Sequence, residues 1–273
     1  YLRELMGRCA HVKMTTIDIK AATRQEAAEL DLAAVFTDLD VLEGHERDME
    51  RAAPAPDEMA RDIRRVPALE ALSSHPHLVL RGEAGSGKST LVNFVAVCLA
   101  GDWLNLQDAN IRRLGEAWRL PRLLPLRVIL RDYAARGLSR GLGLWDFIKA
   151  ELTLVETLDC TLDVCIPVLG SYLKRRDGAM VLLDGLDEVP DAHNYRLELK
   201  TAVEQFARDF PHCRLVVTTR PYAYQDPAAY LTGFDVRTLA PFSPEQIDAF
   251  IPRWYAHVAV SYTHLTLPTK RIV

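Results

Sequence analysis

Residues Gly82-Glu83-Ala84-Gly85-Ser86-Gly87-Lys88-Ser89 put three glycines, an ammonium and two hydroxyls within eight positions, with Thr90 directly after them. The spacing is G-x-x-x-x-G-K-[ST]. A triphosphate has to be met by many donors at close range, and glycine lets backbone N–H groups approach it with no Cβ in the way. In that arrangement residues Gly82, Glu83, Ala84, Gly85, Ser86 and Gly87 cradle the phosphates and Lys88 reaches the β- and γ-phosphates. The Ser89 hydroxyl ligates Mg²⁺. Thr90 falls in the first turn of the helix that opens there, whose positive dipole end faces the phosphates. An apolar run before the loop and another after it supply the strand and the helix that such a loop requires. A glycine turn in front of a helix is the plain alternative.

A second acidic constellation follows. Residues 180–184 (MVLLD) read as a buried strand ending in Asp184, and Gly185, Leu186, Asp187 and Glu188 come next. A carboxylate at such a strand end holds Mg²⁺ in phosphate-loop proteins, usually through its water, so Asp184 takes that role. Asp187 and Glu188 add the negative charge needed to orient and polarise an attacking water, and Glu188 is the preferred general base of the two. Three acids at a strand end would otherwise be a solvated turn. Thr218-Thr219-Arg220-Pro221 closes a further apolar run. Ligands sit beyond the carboxyl ends of parallel strands, so Arg220 is placed to sense or stabilise γ-phosphate charge. Pairing with a surface carboxylate is the competing account.

These residues need a scaffold, and its pattern is visible. From residue 77 onward, short apolar runs at 77–81, 124–130, 179–184, 214–219 and 234–239 alternate with segments long enough for helices. Near-continuous Val, Leu and Ile is what strands buried on both faces of a parallel sheet require. Between the third and fourth runs, Leu199, Val203, Phe206 and Phe210 fall on one helical face. Alternation of this kind predicts a doubly wound α/β domain. Ser243-Pro244-Glu245-Gln246 forms a capping box with proline at the first helical position, opening a helix through Tyr255.

The lead segment is less regular. Residues 1–10 read as the end of a helix, and period-two spacing of Val35, Thr37, Leu39 and Val41 predicts a strand over 32–41. Residues 43–57 are charged, contain Pro54 and Pro56, and are expected to be a loop. Residues 60–72 have helical spacing through Ile63, Val66 and Leu69, broken by Pro67.

Composition bounds the rest. A 49% hydrophobic and 26% charged chain of 273 residues can bury one substantial core. Its net charge of −4 gives no direct signal for nucleic acid. The longest apolar stretch, 91–100, is too short for a membrane span. Cys9, Cys98, Cys160, Cys165 and Cys213 show no metal-ligand spacing and are expected to be reduced core thiols of a cytoplasmic protein. The chain starts at Tyr1 and is expected to be a fragment. Residues 260–273 resemble the translation of a sequencing-library adapter and are left out of the functional reading.

The set GEAGSGKST, VLLDGLDEVP, VVTTRP and LAPFSPEQIDAFIPRW, in this order, resembles the NACHT family of STAND P-loop nucleoside triphosphatases. The further acids three and four residues after Asp184 are a mark of that family, and LPLRVILRDYA and LAAVFTDLDV also resemble bacterial members. The resemblance spans residues 30–257. It implies a three-layer, doubly wound parallel sheet over 73–242, after a helical lead and linker at 1–72 and before the start of a helical subdomain at 243–259. It also implies binding of ATP (sometimes GTP) with Mg²⁺, slow hydrolysis to ADP, and a nucleotide-controlled opening that leads to homo-oligomerisation of the full-length protein, in defence signalling among many relatives. Residues 35–41 would wall the base pocket. The family's winged-helix region and sensor repeats are expected beyond this fragment. No Asn-Lys-x-Asp guanine motif and no Ser-Gly-Gly transporter signature is present, and a small-molecule kinase leaves Asp187 and Glu188 unexplained. A nucleotide-bound scaffold with negligible turnover uses most of the same residues.

Overall fold

The computed structural model describes residues 1–13, 29–43, 64–153, 162–190, 194–225 and 230–263. The chain opens with α1 (Leu2–Cys9), an isolated antiparallel pair of β1 (His11–Lys13) and β2 (Glu29–Asp31), and a single turn α2 (Leu32–Val35). β3 (Asp40–Glu43) and β4 (Arg64–Pro67) form a second antiparallel pair, and α3 (Ala68–Ser74) leads into β5 (His77–Arg81). Then come α4 (Lys88–Trp103), β6 (Leu124–Ile129), α5 (Leu130–Arg136), α6 (Leu144–Thr153), α7 (Leu162–Lys174) and β7 (Ala179–Asp184). The remainder is α8 (Tyr195–Asp209), β8 (Arg214–Thr219), β9 (Asp235–Leu239) and α9 (Pro244–Thr263).

The expected α/β sheet forms. Five strands in the order β9-β5-β8-β7-β6 run parallel, matching the five apolar runs. Strands β7 and β8 are buried at every position, which is why their sequences do not alternate. Side chains on the two faces enter separate apolar clusters. Leu80, Leu182 and Val216 meet α1, α3 and α4 on one side. Val79, Val181 and Val217 meet α6 and α8 on the other. Leu199, Val203 and Phe206 are the buried face of α8, as their spacing requires. Helix α4 is apolar all round because it is covered all round: the sheet lies below it, α1 packs against it, and Phe36 stacks on Phe94 with centroids 3.7 Å apart.

The lead segment departs from expectation in three places. β3 pairs antiparallel with β9, and β4 follows it, so two lead strands extend the parallel sheet at one edge. The period-two residues Val35, Thr37, Leu39 and Val41 are all buried, but only residues 40–43 pair as strand. Residues 36–39 are instead held between α4 and α9, a burial that mimics strand periodicity without a ladder. Finally, the helical spacing read over 60–72 is overturned at Val66, which lies in β4; helix begins only at Ala68. The residue before a proline is pushed out of the α region, and Pro67 closes the strand instead. Most of the loop expected at 43–57 lies outside the described residues, as does 264–273.

The capping box closes as spelled: the Gln246 N–H donates to Ser243 Oγ at 3.2 Å, and the Ser243 N–H to Gln246 Oε1 at 2.8 Å. Helix α9 is also tied to the lead segment. Gln246 Nε2 donates to the Asp38 carbonyl and Arg253 Nη1 to the Phe36 carbonyl, each at 2.9 Å. Cys9, Cys98 and Cys213 are free and buried, and burial pushes the Cys98 and Cys213 thiols up to about 12. Cys165 corrects the expectation of five reduced thiols, because it is disulfide-bonded; Cys160 lies outside the described residues. Scattered spacing argued against metal-ligand pairs of cysteines and said nothing about such a pairing. Among the described residues no helix is long and apolar enough to cross a membrane.

Candidate functional site

The loop after β5 turns on glycine. Gly85 and Gly87 have φ of +77° and +88°, a region that L side chains rarely adopt. At Gly87 a Cβ would also lie 3.1 Å from Leu39 Cδ1, so the lead segment leans directly on the loop. The Gly82 N–H donates to the Thr219 carbonyl at 3.1 Å, fixing the loop's start to the end of β8. Lys88 opens α4 and folds back into the loop, donating from Nζ to the Gly82 carbonyl at 2.5 Å and the Glu83 carbonyl at 2.8 Å. Burial holds its pKa below the ordinary 10.5; Asp187 opposes that shift and Arg220 reinforces it.

Ser89 Oγ donates to Asp184 Oδ1 at 3.0 Å. The loop and the strand-end carboxylate, 95 residues apart, are thus in direct contact. They do not come from neighbouring strands: β8 lies between β5 and β7, and its Thr218 bridges the gap. Thr218 Oγ1 donates to Asp184 Oδ1 at 2.7 Å and accepts the Gly185 N–H at 2.9 Å. Gly185, at φ +82°, then bends the chain into the turn Leu186–Glu188.

Each of the three acids meets an arginine. Arg127 of β6 donates from Nη2 to Asp184 Oδ2 at 2.8 Å, with side chains 14% and 8% exposed. Asp187 is nearly buried and is gripped twice by Arg220, through Nε at 2.9 Å and through the backbone N–H at 3.2 Å. Glu188 is half exposed and accepts from Arg131 Nη1 at 3.2 Å. The carboxylate facing Arg220 is therefore a buried one of the acidic turn itself. Spacing in the sequence brought out Lys88, Ser89, Asp184, Asp187, Glu188 and Arg220, and all of them cluster here. It passed over Arg127 and Arg131. A charged residue in the middle of the apolar run LPLRVIL was the available signal for Arg127.

The donor set suits Mg²⁺. A hydroxyl and one carboxylate side by side are hard oxygen ligands, and Mg²⁺ typically takes only one or two carboxylates while keeping waters and substrate phosphates. No cluster of three or more His, Cys, Asp or Glu able to hold a metal exists among the described residues.

The family model described as NACHT domain matches residues 77–258. No curated protein matches the chain. Among solved structures, the crystal structure of Cdc6p from Pyrobaculum aerophilum is 14% identical, with a TM-score of 0.36, and covers 79% of this chain. The chain spans about half of that protein's length (54%), and at this score the likeness lends the assignment nothing. The family match runs over two thirds of the chain and takes in the phosphate loop, the acidic turn and all three arginines. The chain belongs to the NACHT family, and it carries that family's P-loop nucleoside-triphosphatase module.

Proposed function

We propose that this chain binds ATP with Mg²⁺, hydrolyses it slowly to ADP, and uses the difference between the two as a signalling switch. The observation that carries the reading is the 3.0 Å contact between Ser89 and Asp184, directly beside the glycine-freed amides and the Lys88 ammonium. Residues 82–90 would hold the phosphates, and Ser89 and Asp184 the Mg²⁺, which supplies charge neutralisation at the β- and γ-phosphates. To serve a phosphate, Lys88 exchanges its carbonyl partners in the loop for phosphate oxygens.

Of the two candidate bases, the geometry favours Glu188. Asp187 has both carboxylate oxygens engaged by Arg220, whereas Glu188 meets one exposed guanidinium and keeps accepting capacity for a water. Arg220 would then act on the γ-phosphate through its hold on Asp187. Oligomerisation of the full-length protein and a role in defence signalling rest on the family resemblance; cytoplasmic location rests on the cysteine pattern, and the bonded Cys165 counts against it. Leu39 against Gly87 supports residues 35–41 as one wall of the base pocket. A second reading, a nucleotide-bound scaffold with negligible turnover, has one observation in its favour: every acid of the turn is already neutralised by an arginine.

The test is binding. Lys88→Ala removes the charge-assisted contacts to two phosphates, and Mg-ATP affinity measured by titration calorimetry is expected to fall at least about 100-fold. Affinity equal to that of the parent chain would remove the phosphate-loop assignment.

A further inference from the structure

Arg127 sits where an arginine is costly. It interrupts the apolar run of β6, pairs in register with Leu182 of β7, and shares that residue's face with Asp184 two positions on. Its side chain is 14% exposed, and its Nε has no partner among the described residues. Helix α1 covers it: the Tyr1 hydroxyl accepts the Arg127 backbone N–H and donates to the Pro125 carbonyl, and the buried Cys9 thiol feels the charges of both Arg127 and Asp184. A buried guanidinium with an unpaired nitrogen is poor material for stability alone, since its desolvation is only partly repaid by one ion pair.

What that ion pair does to Asp184 is specific. Oδ1 accepts from Ser89 and Thr218, and Oδ2 accepts from Arg127. One cation already balances the carboxylate on which the metal would depend. We infer that Arg127 is a positioning residue that sets the metal requirement of the nucleotide site: it aims the Asp184 carboxylate and repels a second cation arriving at it. The inference rests on the assignment of Asp184 to Mg²⁺ made above. Two positive charges sharing one poorly hydrated carboxylate repel more strongly than they would in water. Removing Arg127 therefore leaves the metal with an undiluted negative charge.

The experiment titrates MgCl₂ against the whole chain with a fixed concentration of a fluorescent ATP analogue, and reads the Mg²⁺ concentration that half-saturates binding. Arg127→Gln and Arg127→Met, each checked for folding by circular dichroism, are expected to lower that concentration on the order of tenfold. Arg127→Lys keeps the charge and is expected to stay within about threefold of the parent chain. Unchanged or raised Mg²⁺ requirements in a folded neutral variant overturn the inference. Should neither neutral variant fold, Arg127→Lys decides: a tenfold lower requirement there overturns it and a parent-like value upholds it. Failure of the underlying assignment looks different. In that case the parent chain binds the analogue without Mg²⁺, or Lys88→Ala binds it as the parent does.

Discussion

Replacing Thr218 by Val changes almost no volume and removes one hydroxyl. That hydroxyl is 1% exposed at the residue level and joins two buried groups, the Asp184 carboxylate and the Gly185 N–H. A hydrogen bond to a charged group contributes about 1.5–3 kcal/mol, and a buried N–H left without a partner costs about 1–3 kcal/mol. The two losses share one site and do not add fully, so Thr218→Val is expected to destabilise the fold by about 3–4 kcal/mol. Thr218→Ser keeps the hydroxyl and removes one buried methyl, an expected cost of about 1 kcal/mol. Urea unfolding of the parent chain and both variants, with m-values compared to secure a common reference state, measures the difference. A Val variant no less stable than the Ser variant would show that Thr218 fills space and does not bridge the strands. The same pair separates binding from folding: Thr218→Ser should retain Mg-ATP affinity, while the residual folded fraction of Thr218→Val should bind more weakly because Asp184 loses a donor that aims it.

Glu188→Gln is expected to keep Mg-ATP affinity and lose at least about tenfold in turnover, read by phosphate release; equal turnover moves the base elsewhere. Arg220→Ala frees Asp187 and is expected to shrink the ratio of ATP to ADP affinities, with an unchanged ratio removing its link to the γ-phosphate. Lys88 gives a pH signature. Its pKa in the free protein lies below 10.5, and phosphate contact favours the charged form, so binding takes up a proton in the window between the free and bound values. Affinity should be full at neutral pH and decline on the alkaline side earlier than an unperturbed lysine would dictate. Calorimetry across the alkaline range in buffers of differing ionisation enthalpy reads that proton uptake, and none at any pH would contradict the lowered pKa of Lys88.

The features legible in the sequence are those whose physics is local in the chain. Gly85, Gly87 and Gly185 are demanded by backbone angles at their own positions, and the runs forming β5, β7 and β8 report burial on both faces directly. Leu199, Val203 and Phe206 report one helical face. What stayed hidden depends on register between distant strands. Thr218 was visible as a strand residue, but its bridge to Asp184 follows only from β8 lying between β5 and β7. Arg127 needs the β6–β7 register to reach Asp184, and Arg131 needs the acidic turn to fold towards α5. The helical spacing of Ile63, Val66 and Leu69 straddles Pro67, and the pairing of β4 with β3 overrides it at Val66. The same non-local pairing explains why Leu39 looked like strand and serves as a lid on Gly87.

Gln246 and Arg253 hold the carbonyls of Asp38 and Phe36, and Leu39, one residue beyond Asp38, touches the loop at Gly87. Helix α9 is therefore geared to the phosphate loop through a three-link train of fewer than five residues on the lead side. A pull on the helix shifts the leucine, and a swelling of the loop around a ligand pushes back along the same train. Helix α9 thereby has a mechanical handle on the geometry of the loop.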